Sequence, residues 1–130
     1  MSRLDQIDLE IVRNSFDTIA REMSFVLERT ARSPIANETR DFSTSLMDAR
    51  GRLIAQGLGT PILMGTGKTT VEAILREFRF DLRAGDVILN NDPYSGGAHA
   101  PDTTLATPVF SDGKRSAAGV NRQSRITRWS

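Results

Sequence analysis

The sequence predicts an α/β or α+β fold: a long amino-terminal amphipathic helix, a β-hairpin, a second helix and a small mixed sheet. Three observations support this prediction. Apolar residues recur at helical spacing over residues 4–30, and two short apolar runs flank a turn that contains Gly51. Further apolar runs follow, separated by polar, glycine-rich loops. The 130 residues suffice for one domain.

The first element is predicted to be a helix from Asp5 to Ala31. Pro34 ends it, because the residue before a proline disfavours helical backbone angles. Such a helix would be about 40 Å long, whereas a compact chain of this length has a diameter of about 36 Å. We therefore expect either a kinked helix or an apolar stripe that packs on chain outside this sequence.

The next elements are predicted from apolar runs and turn residues. A hairpin is expected over Asp41–Gln56, because its two apolar runs flank a turn that contains Asp48 and Gly51. A loop from Gly57 to Gly67 then leads to a second helix over about Thr69–Phe78. The remaining elements are strands at Val87–Asn90 and Thr103–Phe110, the latter with Pro108 at a sheet edge or strand end, and a turn at Ser111–Lys114.

Composition argues against several classes of function. Lys and Arg total 17 against 16 Asp and Glu, so nucleic acid is not an expected partner. No apolar run is long enough to span a membrane, and the start lacks the apolar stretch of a signal peptide. The absence of cysteine excludes a thiolate nucleophile and favours a cytoplasmic setting. With His99 the only histidine, a three-histidine metal site within this chain is excluded.

Residues Gly65–Thr70 resemble a phosphate-binding loop but depart from its spacing. That loop needs a glycine five residues before Gly67, where Ile62 stands, and Pro61 interrupts the strand that should lead into it. We therefore interpret Gly65–Thr70 as the glycine-rich start of the second helix, with no nucleotide bound there.

The polar loop Asn91–Asp102, between two predicted strands, is the best candidate for a functional site. Asp92-Pro93 favours a turn, and Gly96-Gly97 permits positive φ or close approach to a ligand. An imidazole and a carboxylate as close in sequence as His99 and Asp102 suit Mn²⁺, Fe²⁺ or Zn²⁺. The same two groups could form an acid/base pair, or a hydrogen bond that only shapes the loop. Two ligands do not complete a metal site.

The loop also resembles the signature of the hydantoinase B/5-oxoprolinase family, which includes N-methylhydantoinase B subunits and the acetone carboxylase large subunit. The resemblance covers about residues 4–114. It is carried by Asn91-Asp92-Pro93-Tyr94, Gly96-Gly97, His99, Pro101-Asp102, Thr104-Leu105 and Pro108-Val109-Phe110, and before them by Glu28-Arg29-Thr30-Ala31, Ser33-Pro34, Arg40-Asp41-Phe42-Ser43, Asp48-Ala49-Arg50-Gly51-Arg52-Leu53, Ala55-Gln56 and Leu82-Arg83-Ala84-Gly85-Asp86.

The resemblance implies ATP-dependent ring opening of a cyclic amide such as hydantoin or 5-oxoproline. Carboxylation of a ketone is the alternative reaction, and a non-catalytic module that binds a partner through its first helix is a second alternative. ATP would be used by a hydantoinase A-type partner subunit in a hetero-oligomer. No catalytic residue is assigned. The candidate metal ligands are His99, Asp102 and Asp92, and the candidate substrate contacts are Asn91, Tyr94, Gly96 and Gly97.

The resemblance ends near Lys114. Family members run to several hundred residues, so residues 1–114 are expected to be the amino-terminal part of a larger domain, inactive on its own. Ser124 and Arg125 stand where the family pattern places paired histidines, and residues 115–130 contain no acidic residue. We interpret 115–130 as a basic tail outside the family pattern, with translation in a shifted reading frame as one origin and an anion-binding tail as the other.

Overall fold

A computed structural model of the chain describes residues 5–60, 65–78, 81–97, 99–111 and 114–123. The predicted long first helix, hairpin and second helix are confirmed. A 3₁₀ turn at Pro93–Ser95 separates the third and fourth strands. The helices are α1 (Gln6–Thr30), α2 (Pro34–Asn37) and α3 (Gly67–Phe78), and the strands are β1 (Phe42–Asp48), β2 (Leu53–Gln56), β3 (Ile88–Asn90), β4 (Thr103–Ser111) and β5 (Lys114–Gln123).

The five strands form one sheet in the order β2-β1-β5-β4-β3, and every neighbouring pair is antiparallel. The expectation of a mixed sheet is therefore wrong, and the fold is α+β. Strands β1 and β2, and likewise β4 and β5, follow each other through short connections and must pair antiparallel, because parallel neighbours need a long crossover. Strands β1 and β5 are far apart in the chain, and no local feature of the sequence predicts their antiparallel pairing. Because β3 pairs only with Thr104–Ala106, β4 lies at the sheet edge at Pro108, which has no N–H to donate.

Strand β5 lies at the centre of the sheet, paired with β1 on one side and with β4 on the other. The sequence does not predict this strand, because apolar periodicity fades after Lys114 and the pairing is made by backbone groups. The proposed boundary after Lys114 and the out-of-frame origin of residues 115–130 stay predictions. Residues 112–113 of the predicted turn and residues 124–130 of the tail lie outside the described part of the chain.

The sheet has a helix on each face. Successive residues of a strand point to opposite faces, and in β1 Leu46 packs with α1 whereas Met47 packs with α3. The α1 side joins Leu46 to Ala20 and Ala55, and the α3 side joins Met47 to Val71, Ile74 and Ala106. The architecture is therefore three layers, with β1 buried on both faces.

Helix α1 is held on the sheet by small and hydroxyl-bearing residues. Ala20 and Ser24 are its only described residues that are buried, and both are fully so. The Ser24 and Thr44 hydroxyl oxygens are 2.6 Å apart, and Thr44 Oγ1 donates to the Ala20 carbonyl at 3.0 Å. Ser24 Oγ is 3.1 Å from the Leu58 carbonyl oxygen. This hydroxyl junction lets the helix backbone lie close to β1.

No helix in the described ranges is both long and apolar enough to cross a membrane.

Candidate functional site

Two paired strands hold the ends of the loop Asn91–Asp102. Strand β3 ends at Asn90, β4 begins at Thr103, and Asn90 is paired with Thr104 across the antiparallel ladder. The Asn90 side-chain amide also donates to the Ser95 carbonyl at 3.1 Å. The loop is thus anchored to the sheet, which is the usual way in which a rigid scaffold presents functional side chains.

Asp92 organises the first part of this loop. Its Oδ1 accepts the Tyr94 backbone N–H at 3.0 Å and its Oδ2 accepts the Ser95 hydroxyl at 2.6 Å, so that it caps the 3₁₀ turn. These bonds, the Ser95 hydroxyl first and the Tyr94 N–H second, lower the pKa of the Asp92 carboxyl. The Tyr94 residue is 97% exposed. The turn therefore uses the Asp92 carboxylate internally and projects the Tyr94 ring outward.

The two glycines of the loop are required by close backbone packing. Gly96 has a φ of 102°, and a Cβ there would lie 2.5 Å from the backbone nitrogen of Thr70 in α3. A Cβ on Gly97 would lie 2.6 Å from the Cα of Pro93. Both distances are too short for a real side chain. Close packing accounts for these glycines, and their assignment as substrate contacts stays a prediction.

Thr70 also belongs to the site, although the sequence does not predict a role for it there. It is fully buried, and its Oγ1 lies 3.2 Å from both the Gly96 and the Thr66 carbonyl oxygens. Its single proton can be donated to one of these carbonyls at a time. Thr70 lies in the Gly65–Thr70 string, whose likeness to a phosphate-binding loop gives no sign of this packing role. Lys68 is exposed and lies 3.8 Å from the Glu72 carboxylate.

The structure brings His99 and Asp102 together. Asp102 is only 1% exposed, and its Oδ2 accepts the His99 backbone N–H at 2.9 Å. In return the Asp102 N–H donates to the His99 carbonyl at 3.1 Å. The His99 Nδ1 is 3.6 Å from Asp102 Oδ2, and the His99 side chain is 60% exposed. A buried carboxylate thus fixes the backbone that carries an exposed imidazole.

The distance between these two groups is compatible with two ligands of one metal ion. Zinc binds histidine nitrogen and carboxylate oxygen at about 2.0–2.2 Å, which places two ligand atoms about 3.0–3.6 Å apart. The 3.6 Å between Nδ1 and Oδ2 lies at the upper end of that interval. It is too long for a direct hydrogen bond. The pair therefore fits half of a metal site, or an exposed imidazole oriented by a neighbouring carboxylate.

The third candidate ligand is not grouped with this pair. Within the described ranges, no set of three His, Cys, Asp or Glu side chains is close enough to hold a metal ion. Both oxygens of Asp92 are engaged in the 3₁₀ turn. The assignment of Asp92 as a ligand stays a prediction, and a complete site would need a ligand from elsewhere.

Comparison with known proteins gives a consistent result. Residues 5–124 match the family model described as hydantoinase B/oxoprolinase. The chain is 38% identical over 110 residues to 5-oxoprolinase 1 of Arabidopsis thaliana. This alignment covers 85% of this chain and 9% of that protein. The chain is also 36% identical over 114 residues to caprolactamase subunit beta of Pseudomonas jessenii. This alignment covers 88% of this chain and 20% of that subunit.

Two solved structures resemble the fold. The crystal structure of the ATP-dependent caprolactamase from Pseudomonas jessenii superposes with a TM-score of 0.86 and 33% identity, over 95% of this chain and 21% of that one. The nucleotide-free acetone carboxylase structure superposes with a TM-score of 0.78 and 19% identity, over 88% of this chain and 16% of that one. At that identity the second likeness shows the fold alone. The chain thus spans about a fifth or less of the length of these relatives.

Proposed function

The chain belongs to the hydantoinase B/oxoprolinase family, and from this premise we propose that it is part of a subunit of an ATP-dependent cyclic amide hydrolase. The observation that carries the proposal is the joint likeness, in sequence and in fold, to the caprolactamase of Pseudomonas jessenii. Caprolactam is a cyclic amide, as are hydantoin and 5-oxoproline, so the proposed substrate is a small cyclic amide whose C–N bond is hydrolysed.

Within such a subunit, we assign the loop Asn91–Asp102 to the reaction site. His99 and Asp102 would provide two ligands to a divalent ion, with Mn²⁺, Zn²⁺ and Fe²⁺ as the candidates. A bound ion would polarise the amide carbonyl as a Lewis acid. The Asp102 carboxylate accepts the backbone N–H of His99 and so fixes the backbone of that residue. The exposed ring of Tyr94 is available to contact the substrate.

The same pair supports a proton-transfer role as the alternative chemistry. An exposed imidazole can accept and donate a proton, and a neighbouring carboxylate can orient it. Ketone carboxylation is the alternative reaction that the family resemblance implies. Both alternatives use the same residues, so substrate assays distinguish the reactions and metal analysis distinguishes the roles.

The use of ATP is assigned to a partner subunit of the hydantoinase A type. The relative from Pseudomonas jessenii is named as a beta subunit, which implies a complex of more than one subunit. We therefore propose a hetero-oligomer for the intact enzyme and no activity for this chain alone. A purified chain that opened hydantoin or 5-oxoproline with ATP would contradict this.

The test is a chimera of the caprolactamase beta subunit. Residues 5–123 of this chain replace the aligned segment, and the chimera is purified with the other caprolactamase subunit. ATP-dependent ring opening of caprolactam, hydantoin and 5-oxoproline is measured beside acetone carboxylation, together with bound metal. We expect ring opening, reduced about 100-fold or more in H99A and about 10–100-fold or more in D102N. The exposed Lys68 gives a matched control, and K68A is expected to keep full activity.

Two results would overturn parts of this proposal. Full ring-opening activity in H99A would remove His99 from the reaction site. Acetone carboxylation without ring opening would replace the proposed reaction by its alternative. Unchanged metal content in H99A, beside lost activity, would favour the acid/base role over the ligand role.

A further inference from the structure

The sheet face that carries α1 is covered over β1 and β2 but open over β3 and β4. Ala106 packs on the α3 side, so its neighbour Leu105 points to the α1 side. Leu105 is paired with Leu89 of β3, which places both side chains on this face. Leu105 is 36% exposed and Leu89 is 57% exposed. Val109, four residues beyond Leu105 and so on the same face, is also exposed. This row is an apolar sheet surface that α1 does not cover.

Helix α1 is itself apolar on more than one side. Ala20 faces the sheet, and at 100° per residue Ile11 lies on the opposite side of the helix. Ile7 and Phe25 lie within about 40° of Ile11. All three are exposed by half or more. Polar residues such as Glu22 and Arg29 lie beside them, so the outer side of α1 is mixed in character. The three large apolar side chains on it are the second part of the molecule that has no cover among the described residues.

We propose that these two surfaces, here called the open surface, dock the remaining chain of a hydantoinase B-type subunit. The open surface consists of Leu89, Leu105 and Val109 on the sheet, and of Ile7, Ile11 and Phe25 on α1. This inference rests on family membership and not on the metal or the reaction.

The occupant follows from length and from the distribution of the apolar residues. This chain superposes on only 21% of the caprolactamase chain, so about four-fifths of that chain lies outside the shared segment. The open surface has parts on the sheet and on the far side of the helix that lies on it. A second copy of this chain, docked through one flat two-fold contact, would cover one of these parts. A longer chain that passes beside and over α1 covers both.

Matched leucines on opposite faces of the sheet provide the test. Leu89 in β3 and Leu53 in β2 are each in an edge strand and are 57% and 53% exposed. Leu53 is paired with Met47 and so lies on the α3 side. L89S and L53S are made in this chain and in the caprolactamase chimera described above. The melting temperature and hydrogen exchange are measured in both proteins, and the oligomeric state of the chain alone is measured by light scattering.

We expect L89S to leave the melting temperature of the chain alone unchanged within about 2 °C and to lower that of the chimera by at least about 3 °C more than L53S does. Amides of β3 and of the first half of α1 should exchange more slowly in the chimera than in the chain alone. Equal effects of L89S and L53S in the chimera would overturn the proposal.

Two other outcomes would also contradict the docking proposal. A dimer of the chain alone that L89S abolishes would show that a second copy occupies the open surface, which contradicts the proposal. A chimera that does not fold, beside a soluble parent subunit, would show that this surface does not fit the rest of the family chain. An active, stable chimera in which H99A has no effect would leave this inference standing while the proposed site fails.

Discussion

The two faces of the sheet are built differently. On the α3 face, aliphatic side chains close a core around Met47, and the helix that covers it also contacts the candidate site loop through Thr70. On the α1 face, the helix is held by a junction of buried hydroxyls and small residues, and large apolar side chains remain exposed on the helix and on the sheet.

The two faces therefore have different structural roles. The closed α3 face positions the loop, because Thr70 of α3 contacts Gly96 and Ile88 of β3 packs against the same core. The α1 face joins helix to sheet by buried hydroxyls and by the apolar cluster of Ala20, Leu46 and Ala55, and it leaves other apolar residues exposed. Stability measured on this chain alone should therefore depend on the α3 face far more than on the exposed residues of the α1 face.

The largest effect is expected from M47A. Met47 is 1% exposed in the α3-face core, and truncation of such a side chain to alanine costs about 2–5 kcal/mol in free energy of unfolding. L89A on the open part of the α1 face, where Leu89 is 57% exposed, is the matched control and should change the free energy of unfolding by about 0.5 kcal/mol or less. Urea unfolding measures both, and comparable losses would remove the contrast between the faces.

The hydroxyl junction under α1 should give the next largest effect. T44V removes the bond to the Ala20 carbonyl and the contact with Ser24, and we expect a loss of about 1–3 kcal/mol. S24A removes the same contact from the other side. Because the two hydroxyls act as a unit, the double variant should cost less than the sum of the single variants. Strictly additive losses in urea unfolding would show that the hydroxyls act independently.

T70V tests the link between α3 and the loop. Loss of the Thr70 hydroxyl leaves the Gly96 and Thr66 carbonyls without this donor, and we expect a loss of about 0.5–1.5 kcal/mol. T70S keeps the donor and is the control. Hydrogen exchange of the loop should rise in T70V and stay unchanged in T70S. An increase of equal size in both variants would contradict the assignment, because T70S keeps the hydroxyl donor.

Acidification should release the 3₁₀ turn with little effect on the whole chain. The pKa of Asp92 is lowered in the folded loop, so its carboxylate stabilises the turn above the ordinary carboxyl pKa, and this contribution is lost as pH falls through the lowered value. The Tyr94 amide resonance should titrate with a midpoint below about 3.9, the usual aspartate value. D92N should abolish this titration. A midpoint at or above the usual value would contradict the capping role.

The local features of the fold could be predicted from the sequence. The period of α1, the Asp48 and Gly51 turn and the helix after Gly67 depend on residues close together in the chain, and the structure has all three. The sequence pattern predicts only that a helix ends before Pro34. Proline also fits the first turn of a helix, and Pro34 begins the short α2.

The non-local features could not be predicted. Strand β5 pairs with β1 and β4 through backbone groups, which leave no apolar pattern in the sequence. In the site, the closeness of His99 and Asp102 was predictable from their spacing. The contact of Thr70 with Gly96 joins residues 26 positions apart. The Gly65–Thr70 string, which resembles a phosphate-binding loop, does not indicate this contact.

Hydrogen exchange on the chain alone, resolved by peptide, tests the contrast between the two faces most directly. The account predicts slow exchange in β1 and α3 and fast exchange over residues 6–15 of α1, all of which are exposed. Exchange in the second half of α1 should be intermediate, because only Ala20 and Ser24 are buried there. Uniformly slow exchange along the whole of α1 would contradict the account, because it would show that the helix is already covered in this chain.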